Sequence, residues 1–218
     1  MQDLVELLKA NPYPGRGIVV GTNDAGQPVV YYWIMGRSAN SRNRIFTKTD
    51  DGIRTEAFKP ELVEDPSLII YHPVRTMGDS LVVTNGDQTD TIVEKGDFVA
   101  GCLVREFEPD APNFTPRISA ILNADKSFAL SILKSQDGKG GRCLREFFCY
   151  EGADEGTGYF ISTYVGDGNP LPSFVGEPIE VAMANPDDVW ASLDADNKIS
   201  LYCNVAGKVT LYNKHLGD

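Results

Sequence analysis

Histidine is scarce and cysteine is scattered in this sequence. There are two histidines, His72 and His215, and four cysteines that form no Cys-x-x-Cys pair. This excludes a zinc site of the usual ligand spacing. The sequence also lacks Gly-x-Ser-x-Gly, Gly-x-Gly-x-x-Gly, phosphate-loop and His-Glu-x-x-His patterns, which mark nucleophile, dinucleotide, nucleoside-triphosphate and metalloprotease sites. We therefore expect no metal and no bound cofactor.

Long apolar runs and an excess of basic residues are missing as well. The longest apolar run, residues 29–35, has about seven residues, whereas a membrane-spanning helix needs roughly 20. The 20 Lys and Arg residues against 31 Asp and Glu residues give a formal net charge of −11. So acidic a chain is repelled by phosphate backbones. We therefore expect neither nucleic acid nor a membrane as a partner.

The length of 218 residues and the hydrophobic content of 42% are those of an ordinary globular domain. We expect residues 1–218 to form a single domain. The first residues carry neither a basic stretch nor an apolar signal core, which predicts a cytoplasmic protein with reduced cysteines. We expect Cys102 to be ordinary core packing.

Short runs of β-branched and aromatic residues predict many strands and few helices. Residues 17–22 and 28–35 flank the turn sequence Asn23-Asp24-Ala25-Gly26 and predict a β-hairpin. Further strands are predicted at residues 67–72, 80–85, 118–124, 127–133, 145–150, 158–164, 177–183, 198–204 and 208–212. Helices are predicted at residues 3–10, 97–107 and 185–193. The pattern indicates an α+β fold of stacked antiparallel sheets with helices outside.

The densest group of arginines lies at residues 35–44. Arg37, Arg42 and Arg44 fall within eight residues of an acidic chain, and Ser38 adds a further donor. Guanidinium groups match phosphate and carboxylate oxygens through paired hydrogen bonds. The block therefore predicts an anion site, with a solvated basic loop as the alternative.

Three other segments carry more polar side chains than a core or a solvated surface requires: residues 11–17, residues 71–75 together with 83–91, and residues 108–117. In the second, Thr91 and Glu94 have capping-box spacing and predict the start of a helix. In the third, three prolines stiffen a loop that is either a preorganised site or a rigid connector. This loop holds Glu108, Asp110, Asn113 and Arg117. Such a set of side chains suits proton transfer or ring closure on a phosphorylated small molecule.

In their order and chemistry, these segments resemble the archaeal-type IMP cyclohydrolases and their bacterial relatives. The matching blocks span residues 15 to 164 and are Gly15-Arg16, Arg37-Ser38 with Asn43-Arg44, Tyr71 with Arg75, Asn85-Gly86 with Thr89-Asp90-Thr91, Glu108 with Thr115-Pro116-Arg117-Ile118, and Ser162-Thr163-Tyr164. The resemblance implies a four-layer α-β-β-α sandwich similar to the N-terminal-nucleophile hydrolases, with two central antiparallel sheets. It also implies the closure of 5-formamidoimidazole-4-carboxamide ribotide (FAICAR) to IMP with release of water.

The sequence departs from the pattern at residues 166–178, a segment not associated with the archaeal enzymes. The chain also has no Cys, Ser or Thr at its start. The implied fold therefore does not bring the amidase mechanism of the N-terminal-nucleophile hydrolases with it.

The resemblance further implies roles for individual residues. The catalytic group comprises Tyr71, Glu108, Tyr164 and Arg44. The substrate-binding group comprises Arg16, Arg37, Ser38, Asn43, Arg75, Asn85, Thr89, Asp90, Thr91 and Arg117. Within these groups the arginines at 16, 37 and 44 are expected to hold the 5′-phosphate. Each tyrosine is expected to be either a donor to the developing oxyanion or a base.

The expected partner is a purine ribonucleotide, and the resemblance implies a homo-oligomer. Two alternatives stay open. One is a purine-nucleotide-binding protein without turnover, and the other is an amidohydrolase that acts on a related ribotide.

Overall fold

The structure is a computed structural model that describes residues 1–63, 66 and 69–217. Its helices are short and are, in chain order, Leu4–Ala10 (α1), Ala39–Arg42 (α2), Gln88–Lys95 (α3), Phe98–Leu103 (α4) and Pro186–Ser192 (α5). Within the described ranges, no helix is both long and apolar enough to cross a membrane.

The strands contribute most of the regular structure. In chain order they are Gln2–Asp3 (β1), Gly17–Thr22 (β2), Pro28–Met35 (β3), Arg44–Thr49 (β4), Gly52–Ala57 (β5), Val74–Met77 (β6), Ser80–Thr84 (β7), Arg117–Leu122 (β8), Phe128–Ser135 (β9), Cys143–Tyr150 (β10), Thr157–Ser162 (β11), Ile179–Ala182 (β12), Lys198–Val205 (β13) and Lys208–Asn213 (β14).

These strands form two seven-stranded sheets. The first has the order β1-β12-β11-β2-β3-β13-β14, and the second has the order β10-β9-β8-β7-β6-β5-β4. Neighbouring strands are antiparallel, apart from the short parallel pair β1–β12. The fold is α+β with mostly antiparallel sheets, as predicted.

The two sheets pack face to face, and helices cover their outer faces. In the first sheet, Ile18 and Tyr32 point toward the second sheet, whereas Val19 and Trp33 point toward α1 and α5. This alternation follows from the two-residue repeat of a strand. On the second sheet, α3 and α4 pack a separate core cluster that includes Cys102. The prediction that this cysteine belongs to the core is confirmed.

The hairpin predicted around residues 23–26 is confirmed as β2–β3, with Gly17 opposite Trp33. The helix predicted at 3–10 is α1, and the Asp3 side chain caps it by accepting from the Glu6 N–H. The helix predicted at 97–107 ends early, at Leu103.

The strand predicted at residues 67–72 is wrong. Residues 67 and 68 lie outside the described residues, and 69–72 form a turn before β6. The Thr55 hydroxyl, with its single proton, lies 2.8 Å from the Ile69 carbonyl and 3.1 Å from the Tyr71 carbonyl, and it accepts from the Tyr71 N–H. The Thr55 N–H also donates to the Tyr71 carbonyl at 2.9 Å. Contacts to one residue of β5 therefore hold this segment, in place of a strand ladder.

Several elements were not predicted. Strands β4 and β5 have polar residues on both faces: the buried face holds Arg44 and Thr55 beside Phe46 and Ile53. No run of apolar residues therefore marks these strands in the sequence. Helix α3 begins at Gln88, with Asp87 at the cap position, so the helix start predicted at Thr91 is wrong.

Candidate active site

A pocket of about 250 Å³ lies at one end of the first sheet. Because β2 runs antiparallel to β3 and β11, its start and their ends share this edge. Arg16 precedes β2, Arg37 follows β3, Tyr164 follows β11, and Thr115 comes from the loop before β8. The pocket is lined by Tyr13, Arg16, Arg37, Ser38, Ser41, Asp110, Asn113, Thr115, Tyr164 and Leu171.

Arg16 and Glu108 form an ion pair behind the pocket wall. Arg16 Nη2 donates to both carboxylate oxygens of Glu108 at 3.1 Å, and the side chains are 12% and 4% exposed. Burial raises the pKa of the Glu108 carboxyl, and the guanidinium groups of Arg16 and Arg117 oppose this shift. A carboxyl whose pKa is raised is better matched to proton transfer near neutral pH.

A chain of hydroxyl groups forms another wall. Tyr164 Oη lies 2.5 Å from Thr115 Oγ1, and Thr115 Oγ1 also contacts Asp110 Oδ2. Burial raises the pKa of Tyr164 to about 12, although Arg16 and the Thr115 hydrogen bond oppose the shift. Tyr164 is therefore a neutral phenol at physiological pH.

Gly15 allows the segment that precedes β2 to lie close to Tyr164. Its φ is +71°, and a Cβ atom there would lie 2.3 Å from Thr163 Oγ1 and 2.6 Å from Tyr164 Cδ2. The Tyr164 N–H also donates to the Pro14 carbonyl at 3.2 Å. Glycine is therefore required both for the backbone conformation and for the close contact.

We expect Gly15→Ala to lower the free energy of unfolding by more than the roughly 1–2 kcal/mol that a left-handed backbone costs a non-glycine residue. The additional loss arises because the new methyl displaces the Thr163 hydroxyl together with the Tyr164 ring. Gly138→Ala is the matched control, since Gly138 has φ +68° and no atom within 4 Å of its added Cβ. Urea unfolding of both variants measures the difference, and equal losses would contradict the Tyr164 contact.

Arg37 and Ser38 lie at the pocket mouth. Arg37 Nη1 donates to Asp167 Oδ1 at 2.5 Å and to the Gly168 carbonyl at 3.1 Å, and its guanidinium lies 5.0 Å from the Tyr13 ring centroid. Ser38 caps α2 together with Ser41, each side chain accepting from the other's backbone N–H. The Asp167 carboxylate, which belongs to the 166–178 segment, thus pairs with Arg37, one of the three arginines that the resemblance assigns to the phosphate.

Arg44 and Tyr71 lie deeper, near Arg16. Arg44 is 2% exposed, and it donates to the Ser41 carbonyl at 2.7 Å and the Met35 carbonyl at 3.3 Å. The Tyr71 hydroxyl is 2.8 Å from that of Tyr32. Burial lowers the pKa of Arg44, yet an arginine stays protonated in a protein. Arg44 therefore braces the loop that carries Arg37 and Ser38.

Arg117 belongs to a buried polar network behind Glu108. It donates to Gln88 Oε1 at 2.6 Å and pairs with Asp87 at 2.8 Å. The Asn85 side chain accepts from Gln88 and from the Ile118 N–H. A Cβ on Gly86 would lie 2.5 Å from Arg117 Nη1 and 3.5 Å from Glu108 Oε1, so this turn sits directly against the ion pair. Thr89 completes the network through Thr84.

Four residues of the predicted substrate-binding group make their contacts elsewhere. Asn43 holds the turn at Lys59 by paired hydrogen bonds. Arg75 bridges Asp51 and Asp90, and Thr91 accepts from Arg105. These four residues lie outside the pocket lining, and so do the other three substrate-binding residues without a lining contact, Asn85, Thr89 and Arg117. Of the predicted catalytic group, Tyr164 lines the pocket, whereas Tyr71, Glu108 and Arg44 lie behind the lining. The roles of all these residues stay predictions.

Other residues near the pocket were not assigned from the sequence. Tyr13 stacks on Tyr164, with ring centroids 6.0 Å apart. Thr115 and Asp110 belong to the proline-stiffened loop, and the sequence assigns no individual role to either residue. Two features of the sequence point to these residues. Tyr13 lies between two prolines, and Asp110 lies within the proline-rich loop. Across the part of the chain that the structure describes, no group of three or more His, Cys, Asp or Glu side chains is placed to hold a metal.

Comparison of the sequence with known proteins identifies a family. The family model described as IMP cyclohydrolase-like protein matches residues 13–209. An IMP cyclohydrolase of Methanopyrus kandleri is 30% identical over 177 residues, which cover 74% of this chain and 79% of that protein.

Other relatives match a shorter region. The IMP cyclohydrolases of Methanococcus aeolicus and Methanocaldococcus jannaschii are 32% and 36% identical over 127 and 126 residues. Each match covers 53% of this chain. The chain spans 61% of the length of the Methanococcus aeolicus protein and 59% of that of the Methanocaldococcus jannaschii protein. The family match extends over most of the sequence and includes every residue that lines the pocket, so the chain belongs to the IMP cyclohydrolase-like protein family.

Proposed function

We propose that this protein is an IMP cyclohydrolase that closes FAICAR to IMP with release of water. The observation that carries the proposal is the pocket itself. In a chain of this family, it gathers Arg16, Arg37 and Tyr164 from three different loops at one sheet edge. Cationic donors and a hydroxyl chain are the groups that a phosphorylated, ring-closing substrate requires.

Positioning supplies much of the proposed catalysis. The carboxamide nitrogen of FAICAR attacks the formyl carbon of the same molecule, so the reaction is unimolecular. Free rotation of the two arms makes the reactive geometry rare. A protein that holds the arms in contact removes this entropic part of the activation barrier. Tyr13 and Leu171 provide the apolar walls against which the imidazole ring packs.

Charge and proton transfer supply the rest. The formyl oxygen leaves as water after taking up two protons, one from the carboxamide nitrogen and one from the formamide nitrogen. Tyr164 contacts the reacting oxygen, and Arg16 stabilises the negative charge that develops there. Glu108 holds Arg16 in place and is the buried carboxyl that exchanges the second proton.

The phosphate is proposed to bind at the mouth of the pocket. The Arg37 side chain is 39% exposed at this mouth, so a ligand can reach it. Its partner Asp167 is also exposed, so a phosphate can take the place of the carboxylate. The Ser38 and Ser41 side chains beside it add hydroxyl groups. The phosphate then competes with the Asp167 carboxylate for the same guanidinium.

Further properties are proposed on the same basis. The two-sheet architecture, with helices on both outer faces, supports a resemblance to the N-terminal-nucleophile hydrolases and a single domain over residues 1–218. Exposed apolar side chains at the end of α4, Leu103 and Val104, support a homo-oligomer. The four free cysteines support a cytoplasmic protein, where thiols stay reduced.

Incubation of the purified protein with FAICAR tests the proposal. We expect IMP to form, followed by ultraviolet absorbance and identified by chromatography, with the same rate after treatment with a chelator because the proposed chemistry needs no metal. Binding without conversion would instead identify a nucleotide-binding protein. Release of formate or ammonia would identify an amidohydrolase, and either result overturns the cyclohydrolase proposal.

A further inference from the structure

The hydroxyl chain at the pocket wall has a defined direction. Thr115 is fully buried, and its backbone N–H donates to Asp110 Oδ1 at 2.6 Å. An ionised carboxylate can only accept hydrogen bonds, so the Thr115 hydroxyl also donates to Asp110. Thr115 has a single hydroxyl proton, and therefore Tyr164 donates to Thr115 Oγ1. Tyr164 consequently turns an oxygen lone pair toward the pocket.

We propose that Tyr164, Thr115 and Asp110 form a proton relay that moves one proton from the carboxamide nitrogen to the formyl oxygen during ring closure. The inference rests on the proposed cyclohydrolase function. It assigns Thr115 and Asp110 as residues that act through Tyr164, the one member of the relay that touches the reacting atoms.

Bonds, electron pairs and protons balance within the step that the relay serves. The attack forms the nitrogen–carbon bond and breaks the carbonyl π bond, whose electron pair moves to oxygen. The nitrogen proton passes to Tyr164 as the Tyr164 proton passes to Thr115 and the Thr115 proton to Asp110. The relay then reverses, and Tyr164 protonates the oxygen to give the carbinol.

One hydroxyl can serve both atoms because the nitrogen and the oxygen are bonded to the same carbon. The relay ends in its starting state, so it requires no further reactant. The carbinol then loses water by the separate proton exchange assigned to Glu108.

Burial explains why Tyr164 needs partners for this task. Its pKa of about 12 makes a phenolate unfavourable in this pocket. A hydroxyl that releases one proton as it receives another never becomes a phenolate. Asp110, half-buried at the far end, holds the displaced proton for the lifetime of the charged intermediate.

Substitution of Thr115 tests the relay, with FAICAR turnover as the readout. Thr115→Val keeps the shape but removes the hydroxyl, and we expect kcat to fall about 10²-fold or more while KM stays within a few-fold. Thr115→Ser restores a hydroxyl at the same atom and is expected to recover kcat to within about tenfold of the original chain. A threonine that only holds Asp110 and Tyr164 in place would lower the stability of Thr115→Val and raise its KM, without a kcat loss of this size.

Asp110→Asn provides an independent test at a half-buried position. The asparagine oxygen still accepts from the Thr115 N–H, but its amide group donates to Thr115 Oγ1 and reverses the direction of the chain. We expect a loss in kcat similar to that of Thr115→Val. The double variant should fall no further, because both substitutions interrupt the same relay.

The outcomes separate the relay from the proposed function. Wild-type protein that does not convert FAICAR overturns the proposed function and the relay with it. Wild-type conversion combined with unchanged kcat in Thr115→Val or Asp110→Asn overturns the relay alone. So does a double variant whose loss equals the product of the single losses. Thermal unfolding of each variant confirms that turnover is measured on folded protein.

Discussion

Glu108→Gln is expected to lower kcat by about 10²- to 10⁴-fold while changing KM far less. The substitution removes the buried carboxyl proposed to exchange a proton. It also replaces one oxygen that accepts from Arg16 with an amide group that cannot accept. Arg16 then loses half of its paired anchor at the place where negative charge develops. Both effects act on the transition state, so they appear in kcat.

Glu106→Gln is the matched control for this prediction. Glu106 precedes Glu108 by two positions, carries the same charge and has a side chain that is 70% exposed. We expect it to retain wild-type kcat. Steady-state kinetics with FAICAR, together with the unfolding midpoint of both variants, makes the comparison. A Glu108→Gln effect confined to KM would assign the residue to ground-state binding instead.

Arg37→Met is expected to weaken IMP binding by roughly 10- to 150-fold, which corresponds to about 1.5–3 kcal/mol for a charge-assisted hydrogen bond. Inosine, which lacks the phosphate, should bind the variant almost as well as the original chain. The protein carries a net charge of −11, so its mean field opposes a nucleotide phosphate and local cations must overcome it. Methionine keeps part of the aliphatic bulk over Tyr13.

Calorimetric titration with both ligands measures this difference. Arg54→Met is the control, because Arg54 is exposed on β5 and its loss changes the net charge equally. It should leave both affinities unchanged. Equal losses of IMP and inosine affinity in Arg37→Met, or no loss for either, would remove Arg37 from the phosphate site.

The central strands and part of the site could be predicted because local sequence specifies them. The β2–β3 hairpin follows from apolar runs around one turn. Arg16 and Tyr164 lie at the ends of neighbouring strands, so they share an edge once the strand order is known. The family pattern assigns both residues to the site, and their roles in it stay predictions.

Other features depend on side-chain contacts across the fold and could not be predicted. The Arg44 guanidinium donates to two backbone carbonyls, and Asp90 pairs with Arg75. The sequence pattern indicates neither contact, and the active-site roles of both residues stay predictions. The contact between Thr115 and Tyr164 joins residues 49 positions apart. A one-dimensional pattern does not specify which of several arginines or carboxylates face each other.

The central claim is that the pocket between Arg16, Arg37 and Tyr164 binds the purine ribonucleotide. A crystal structure of the protein with IMP tests it most directly. We expect the phosphate within about 3 Å of Arg37 and Ser38, in place of the Asp167 carboxylate, and the purine ring against Arg16 and Tyr164. IMP bound at another surface, or with its phosphate away from Arg37, would contradict the account.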